Sequence, residues 1–147
     1  MNIKILFLLS LVFTNVAHPQ KKEHKEHKWV HFYITSSGYE WQYDKLTVKK
    51  RGGHSLVWVK KMPTTDSISA KIMAEYEEHG KDIKWLDYQY TLNRCEINCN
   101  EDKLRIISNI KYGNNNNVLE SWDGDDETFK NIAPDTMGEA LEKKVCE

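Results

Sequence analysis

An excess of charge of one sign is missing from this sequence. The chain has 21 lysine and arginine residues against 22 aspartate and glutamate residues, which gives a formal net charge of −1. Such a balance creates no long-range field that would draw in nucleic acid or an anionic membrane surface. We therefore expect no nucleic-acid partner.

Recognisable catalytic patterns are also missing. The sequence contains no Ser-His-Asp arrangement, no glycine-rich phosphate-binding loop and no pair of carboxylates with a catalytic signature. We therefore predict no catalytic residues, no enzyme activity and no cofactor.

Metal sites are suggested only weakly. His24, His27 and His31 would bring three imidazoles together if their segment were helical. The neighbouring lysines favour a solvated linker instead. The acidic segment at residues 123–126 departs from the spacing of the EF-hand calcium loop. We predict no metal site.

The sequence has one long hydrophobic run, and it is too short to cross a bilayer. Residues 5–13 are apolar except for Ser10, and Lys4 precedes them. This pattern is typical of a secretory signal peptide, and Ala17 suits the cleavage position. We expect residues 1–17 to be removed, leaving no stable membrane span. No cysteine follows the run to accept a lipid, so the mature protein is expected in the periplasm, at the cell surface or in the medium.

The mature chain divides into a polar leader and one domain. Residues 18–28 are rich in lysine, glutamate and histidine and have no apolar periodicity. Residues 29–147 contain all five tryptophans and all seven tyrosines, which are sufficient to fill one small core. We therefore expect the folded domain to begin at Trp29.

Alternation of apolar and polar residues, with turn residues between the segments, predicts mainly strands. The predicted strands lie at residues 29–34, 39–44, 45–49, 54–61, 84–93, 103–112 and 118–122. In the fifth, the residues expected on one face are Leu86, Tyr88, Tyr90 and Leu92. In the sixth, those expected to point inward are Leu104, Ile106, Ser108 and Ile110, with Ile107 as an exception.

Two segments have helical spacing instead. Residues 67–79 form the first, which Gly80 would end. Thr136 and Glu139 form a capping box at the start of a C-terminal helix. The fold class is therefore α+β: an antiparallel β-sheet of about six strands packed by a C-terminal helix, with one additional helix inserted mid-chain.

Three cysteines, at 95, 99 and 146, leave one thiol over if a disulfide forms within the chain. An exported chain meets an oxidising compartment, and three pairings are available. Cys95 and Cys99 would sit too far apart along one strand to bridge easily. The leftover thiol could be reactive, could link a homodimer, or could be buried and inert.

Two groups of side chains are candidates for binding. Lysines and an arginine in one hairpin and its partner strand could form a basic patch for an acidic partner, or could protect exposed strands from aggregation. Aromatic side chains in adjoining strands could line a pocket or fill the core. The basic patch consists of Lys49, Lys50, Arg51, Lys60 and Lys61, and the aromatic group of Tyr39, Trp41, Tyr43 and Trp58.

Five motifs in order resemble the bacterial surface-adhesin protein E-like domain family over nearly the whole mature chain. They are Gly38-Tyr39-x-Trp41-x-Tyr43-Asp44, Lys50-x-Gly52, Val57-Trp58-Val59-Lys60, Cys99-x-x-x-Lys103-Leu104-Arg105, and IAPDTMGEAL at residues 132–141 followed by Val145-Cys146. Asn98 and Asp135-Thr136 depart from the family pattern, and Cys95 is an extra cysteine.

The resemblance implies a disulfide between Cys99 and Cys146, which leaves Cys95 as the unpaired thiol. It also implies a binding protein that contacts a protein partner such as a host extracellular-matrix or plasma protein. The alternative is a periplasmic inhibitor or a non-adhesive envelope accessory protein. A homodimer stays open.

Alkylation of the denatured, unreduced protein tests the assignment of the cysteines. One alkylated thiol, at Cys95, is expected because Cys99 and Cys146 are paired, and intact-mass analysis with peptide mapping measures it. A second alkylated cysteine, or a label on Cys99 or Cys146, would contradict the pairing.

Overall fold

Antiparallel pairing joins all the strands described into one sheet. The computed structural model describes residues 26–124 and 128–147, so the predicted signal peptide and most of the leader lie outside the described residues. The strands are β1 (Trp29–Ile34), β2 (Tyr39–Asp44), β3 (Lys49–Arg51), β4 (His54–Pro63), β5 (Tyr90–Asn98), β6 (Lys103–Tyr112), β7 (Val118–Asp123) and β8 (Lys130–Asn131). The helices are α1 (Ile68–Glu78) and α2 (Met137–Val145).

The sheet has the order β1-β2-β4-β5-β6-β7, with β3 added to β4 and β8 added to β6. Helix α1 comes between β4 and β5 in the chain, and α2 ends the chain and contacts β1. The predicted α+β fold is therefore confirmed. Among the described residues, no helix is long and apolar enough to span a membrane.

Both helices cover the same face of the sheet, which we call the helix-covered face. Leu141 and Val145 of α2 are buried against Val57, Val59 and Ile97 of the central strands. At the other end of this face, Glu75 of α1 forms an ion pair of 3.0 Å with Lys111 of β6. No described helix covers the opposite face, which we call the open face.

Helix α2 begins where the sequence predicts, and polar contacts hold both of its ends. The Thr136 side chain accepts a hydrogen bond from the Glu139 amide, and the Glu139 carboxylate accepts one of 3.0 Å from the Asp135 amide. These contacts satisfy amide groups that have no partner within the helix. At the other end, the buried Ser55 hydroxyl donates a 2.9 Å hydrogen bond to the carbonyl oxygen of Val145.

Two predicted strands are corrected by local capping. Residues 45–47 form a 3-10 turn, because the Asp44 carboxylate caps the Leu46 amide, and β3 begins only at Lys49. Residues 83–87 form another 3-10 turn, in which Asp82 caps the Lys84 amide. Strand β5 therefore begins at Tyr90, six residues later than predicted.

The predicted faces of β5 and β6 are confirmed only in part: Leu104 and Ile106 pack against the core as predicted, whereas other positions do not. Tyr88 precedes the strand and is buried, whereas Leu86 is exposed. In β6, a bulge leaves Ile107 as an extra residue between Ile106, which pairs with Cys95, and Ser108, which pairs with Arg94. An extra residue reverses the side on which all later side chains lie. Ser108 and Ile110 therefore lie on the open face, not inward as predicted.

The segment just before β1 is held by a buried carboxylate. The Asp44 side chain is fully enclosed, and its Oδ2 atom lies 2.6 Å from Nδ1 of His27. Oδ1 accepts hydrogen bonds from the amides of Lys28 and Leu46. Burial alone raises the pKa of Asp44, but the three hydrogen bonds outweigh burial and hold the pKa below its ordinary value.

A disulfide ties the end of β5 to the end of α2. Cys99 and Cys146 are bonded, with their Cα atoms 5.7 Å apart and a sequence separation of 47 residues. In the unfolded chain this bond closes a long loop and so lowers the entropy gained on unfolding. Because it joins the end of β5 to the end of α2, the bond also holds α2 on the sheet in the folded protein.

Replacing both bridged cysteines with serine tests this role. C99S/C146S should lower the free energy of unfolding by about 4 kcal/mol, because the unfolded chain regains its loop entropy. Urea unfolding followed by tryptophan fluorescence measures the change, with the reduced wild-type protein as the matched control. A change of less than about 1 kcal/mol in both would contradict the role of the disulfide as the main tether of α2.

Asp44→Asn tests the buried carboxylate. Because its folded pKa is lowered, Asp44 contributes fully to stability above its unfolded pKa of about 3.9, and the contribution is lost as the pH falls through the folded value. The variant should therefore lose about 2 kcal/mol at about pH 5 and much less at about pH 2. Urea unfolding at both pH values measures this, and Glu77→Gln, at an exposed carboxylate, is the control. An equal loss at both pH values would contradict the assignment.

Candidate binding face

Cross-strand pairs on the open face place aromatic, aliphatic and cationic side chains side by side. Trp58 of β4 pairs with Arg94 of β5, and Arg94 pairs with Ser108 of β6. One step along the strands, Leu56 pairs with Glu96. Because alternate residues of a strand share a face, these side chains form neighbouring rows on one surface.

Three depressions on this face share lining residues and form one groove, which we call the Trp58 groove. Their volumes are about 400, 600 and 440 Å³. The first and third share Trp58 and Arg94. The first and second share Lys49 and Leu56, and the second and third share Ile107. The groove thus follows the open face across several strands.

The charges of the Trp58 groove are unevenly paired. Its central carboxylate, Glu96, lies 2.6 Å from Arg105 and 2.9 Å from His54. Lys49, Arg51 and Arg94 also line the groove, but none of the three forms an ion pair with a described residue. Unpaired positive charge therefore remains between Arg51 and Arg94.

The structure does not bring the five residues of the predicted basic patch together. Lys49, Lys50 and Arg51 are exposed on β3, at the edge of the groove. Lys60 and Lys61 are consecutive residues of β4, so they point to opposite faces.

Lys60 lies on the open face, with its Nζ atom 4.3 Å from the ring centre of Trp29 and 5.2 Å from that of Tyr90. Lys61 lies on the helix-covered face, 3.8 Å from the ring centre of Tyr39. Burial lowers the pKa of both lysines. Their ammonium groups therefore contact aromatic rings rather than a shared patch.

The four candidate aromatic residues also divide between the two faces. Tyr43 is buried in the core, and Trp41 packs against the same cluster on the helix-covered face. Tyr39 is on that face too and contacts Lys61 and Lys71 of α1. Trp58 alone among the four lies on the open face, where it lines the groove.

A buried polar cluster lies beneath α1. Lys111 donates a hydrogen bond of 3.0 Å to Glu75, and its Nζ atom lies 3.1 Å from Nε2 of His79. The His79 ring stacks on Trp85 with the ring centres 3.7 Å apart. The Glu75 side chain is 8% exposed and that of Lys111 17%, so each helps to offset the other's cost of desolvation. This arrangement anchors α1 to the sheet.

Cys95 is fully buried in the core between the sheet and α2. Burial raises the pKa of its thiol to about 12. Since the thiolate is the reactive form, this cysteine is inert in the folded protein. The hypotheses of a reactive thiol and of a disulfide-linked dimer are therefore not supported.

The histidines considered for metal binding are not assembled into a site. His27 contacts Asp44, while His31 is exposed on β1 and His24 lies outside the described residues. Asp125 and Asp126 of the acidic segment are outside them as well. In the described part of the chain, no group of three or more potential ligands could hold a metal ion.

Sequence reasoning did not identify Arg94 as a surface residue of the groove. The signal was present in the alternation of residues 90–98, where Thr91, Asn93, Cys95 and Ile97 are the buried positions. Polar threonine and asparagine at two of these positions concealed the pattern.

Comparison of the sequence with protein-family models identifies one matching family. The model described as surface-adhesin protein E matches residues 29–147, which is the whole of the expected domain. Searches of curated proteins and of solved structures give no significant match. Membership in an adhesin family and the disulfide are both consistent with an exported binding protein rather than a catalyst. The chain belongs to the surface-adhesin protein E family.

Proposed function

We propose that this protein is a non-catalytic surface adhesin that contacts host extracellular-matrix or plasma proteins through the open face of its sheet. The observation that carries the proposal is the one-sided placement of the helices. Both lie on the helix-covered face, whereas Trp58, Leu56 and Arg94 remain accessible from the other side. The open face is therefore the candidate surface for a partner.

The composition of this face supports binding. Tryptophan and arginine are enriched among residues that contribute most to protein interfaces, and here they are a cross-strand pair. Leu56, Ile107 and Ile110 add apolar area around them. Charged side chains surround this area, as in the polar rim of a typical interface.

The covalent structure supports a location outside the cytoplasm. The Cys99–Cys146 bond would persist in an oxidising compartment. The predicted signal peptide at residues 1–17 provides a route for export. An adhesin must also be displayed at the surface or released, so strictly periplasmic material found on fractionation would contradict this proposal and favour an envelope accessory protein.

Trp58→Ala tests the binding face. The variant should weaken binding to immobilised matrix or plasma proteins by about tenfold or more, because truncation of a central interface tryptophan costs about 2 kcal/mol or more. Surface plasmon resonance with a panel such as fibronectin, laminin and vitronectin measures the effect.

Trp122→Ala is the matched control. Trp122 is a 41% exposed tryptophan on β7 that pairs with Asn109 of β6. Asn109 donates a hydrogen bond to the buried Asn93, so this pair lies on the helix-covered face. Thermal unfolding should be similar for both variants. Equal loss of binding in the two, or unchanged binding in Trp58→Ala, would contradict the assignment of the open face.

A further inference from the structure

We infer that the Trp58 groove binds an acidic polysaccharide, a chain of sugar rings carrying carboxylate or sulfate groups. This inference rests on the proposed function, because it takes the open face as the binding surface and adds the chemistry of one ligand. Matrix proteins carry such chains, so the groove would let the protein recognise the glycan as well as the polypeptide.

Charge complementarity is the first argument. Lys49, Arg51 and Arg94 line the groove without an ion pair to a described residue. The carboxylate between them, Glu96, is already neutralised by Arg105 and His54. An anion placed here gains attraction to three cations, which outnumber Glu26, the other carboxylate that lines the first depression. Asp123 lines the groove at its far end, so the positive section lies between Arg51 and Arg94.

The apolar surface between the cations is the second argument. Leu56, Trp58 and Ile107 line the same depressions as the charged groups. A sugar ring has an apolar face of C–H groups that can lie on an indole ring, while its acidic substituents point outward to the cations. Aromatic side chains provide such flat apolar contacts with little conformational freedom to lose.

The position of the groove within the sheet is the third argument, and it distinguishes a polysaccharide from an extended peptide. Strands β4, β5 and β6 are internal, and each is paired on both sides. Their backbone amide and carbonyl groups are therefore used within the sheet, so no peptide can add to them as a further strand. A ligand in this groove must be recognised through side chains.

The length of the positive section suits more than one sugar ring. Along β4, His54 is paired with Arg51 and Trp58 is paired with Arg94. Four residues of a strand separate these pairs, which corresponds to about 13 Å. The groove therefore suits a polymer better than a single acidic sugar.

Binding of heparin and chondroitin sulfate by the exported chain tests the inference. Both should bind, and binding should weaken as salt is raised, whereas neutral dextran should not bind. Arg94→Ala should weaken heparin binding by about tenfold, because it removes a charge-assisted contact. Isothermal titration calorimetry measures the affinities. Lys144→Ala, at an exposed lysine of α2, is the control and should have little effect.

The outcomes separate this inference from the proposed function. No binding to either acidic polysaccharide, or an equal loss in Arg94→Ala and Lys144→Ala, would overturn the inference. If matrix proteins stripped of their acidic glycans still bind and depend on Trp58, the adhesin proposal stands while the polysaccharide site fails. Loss of heparin binding in Trp58→Ala, with unchanged thermal unfolding, would support the contact of a sugar ring with the Trp58 indole.

Discussion

The packing of α2 on the sheet is the interaction on which the rest of the structure depends. Leu141 and Val145 of this short helix are almost completely buried against the central strands. A single sheet has no second layer of its own, so without this helix its inner apolar side chains would face water. The disulfide at one end of the helix, and the hydrogen bond of 3.0 Å from Tyr33 to the Asp135 carbonyl near the other, fix its position.

The helix-covered face has two halves with different chemistry. Beneath α2 the contacts are mainly apolar, whereas beneath α1 they include the Glu75–Lys111 ion pair. The bulge at Ile107 creates this difference, since it turns Lys111 toward α1 and sends Ile110 to the open face. One extra residue therefore adds both a polar anchor on one side and apolar area on the other.

Much of the fold could be predicted from the sequence, because its signals are local. The alternation in β2, the glycine pair at 52–53 and the Thr136–Glu139 cap each act over a few residues, and each is present in the structure. The turn at residues 83–87 was missed because alternation there is a coincidence: Asp82 caps the Lys84 amide, and the buried Trp85 stacks on His79. Trp85 packs against the end of the preceding helix, and the alternation of residues 84–93 does not record this contact.

The binding face was harder to predict for the same reason. The sequence places Lys60 and Lys61 side by side, but the pleat of the strand separates them. Conversely, Trp58 and Arg94 lie far apart in the sequence and are paired only by the register between β4 and β5. A surface assembled from four or five strands depends on this register, which a single sequence does not specify at the level of individual pairs.

The buried thiol of Cys95 has a consequence for how the protein matures. In the unfolded chain after export, Cys95 is as available for oxidation as Cys99, from which it is separated by only four positions, and it can form mixed or wrong disulfides. Once the core forms, Cys95 is enclosed and only Cys99 and Cys146 remain at a distance suitable for bonding. In the folded chain only the native pairing is accessible, so the core protects its own covalent tether from error.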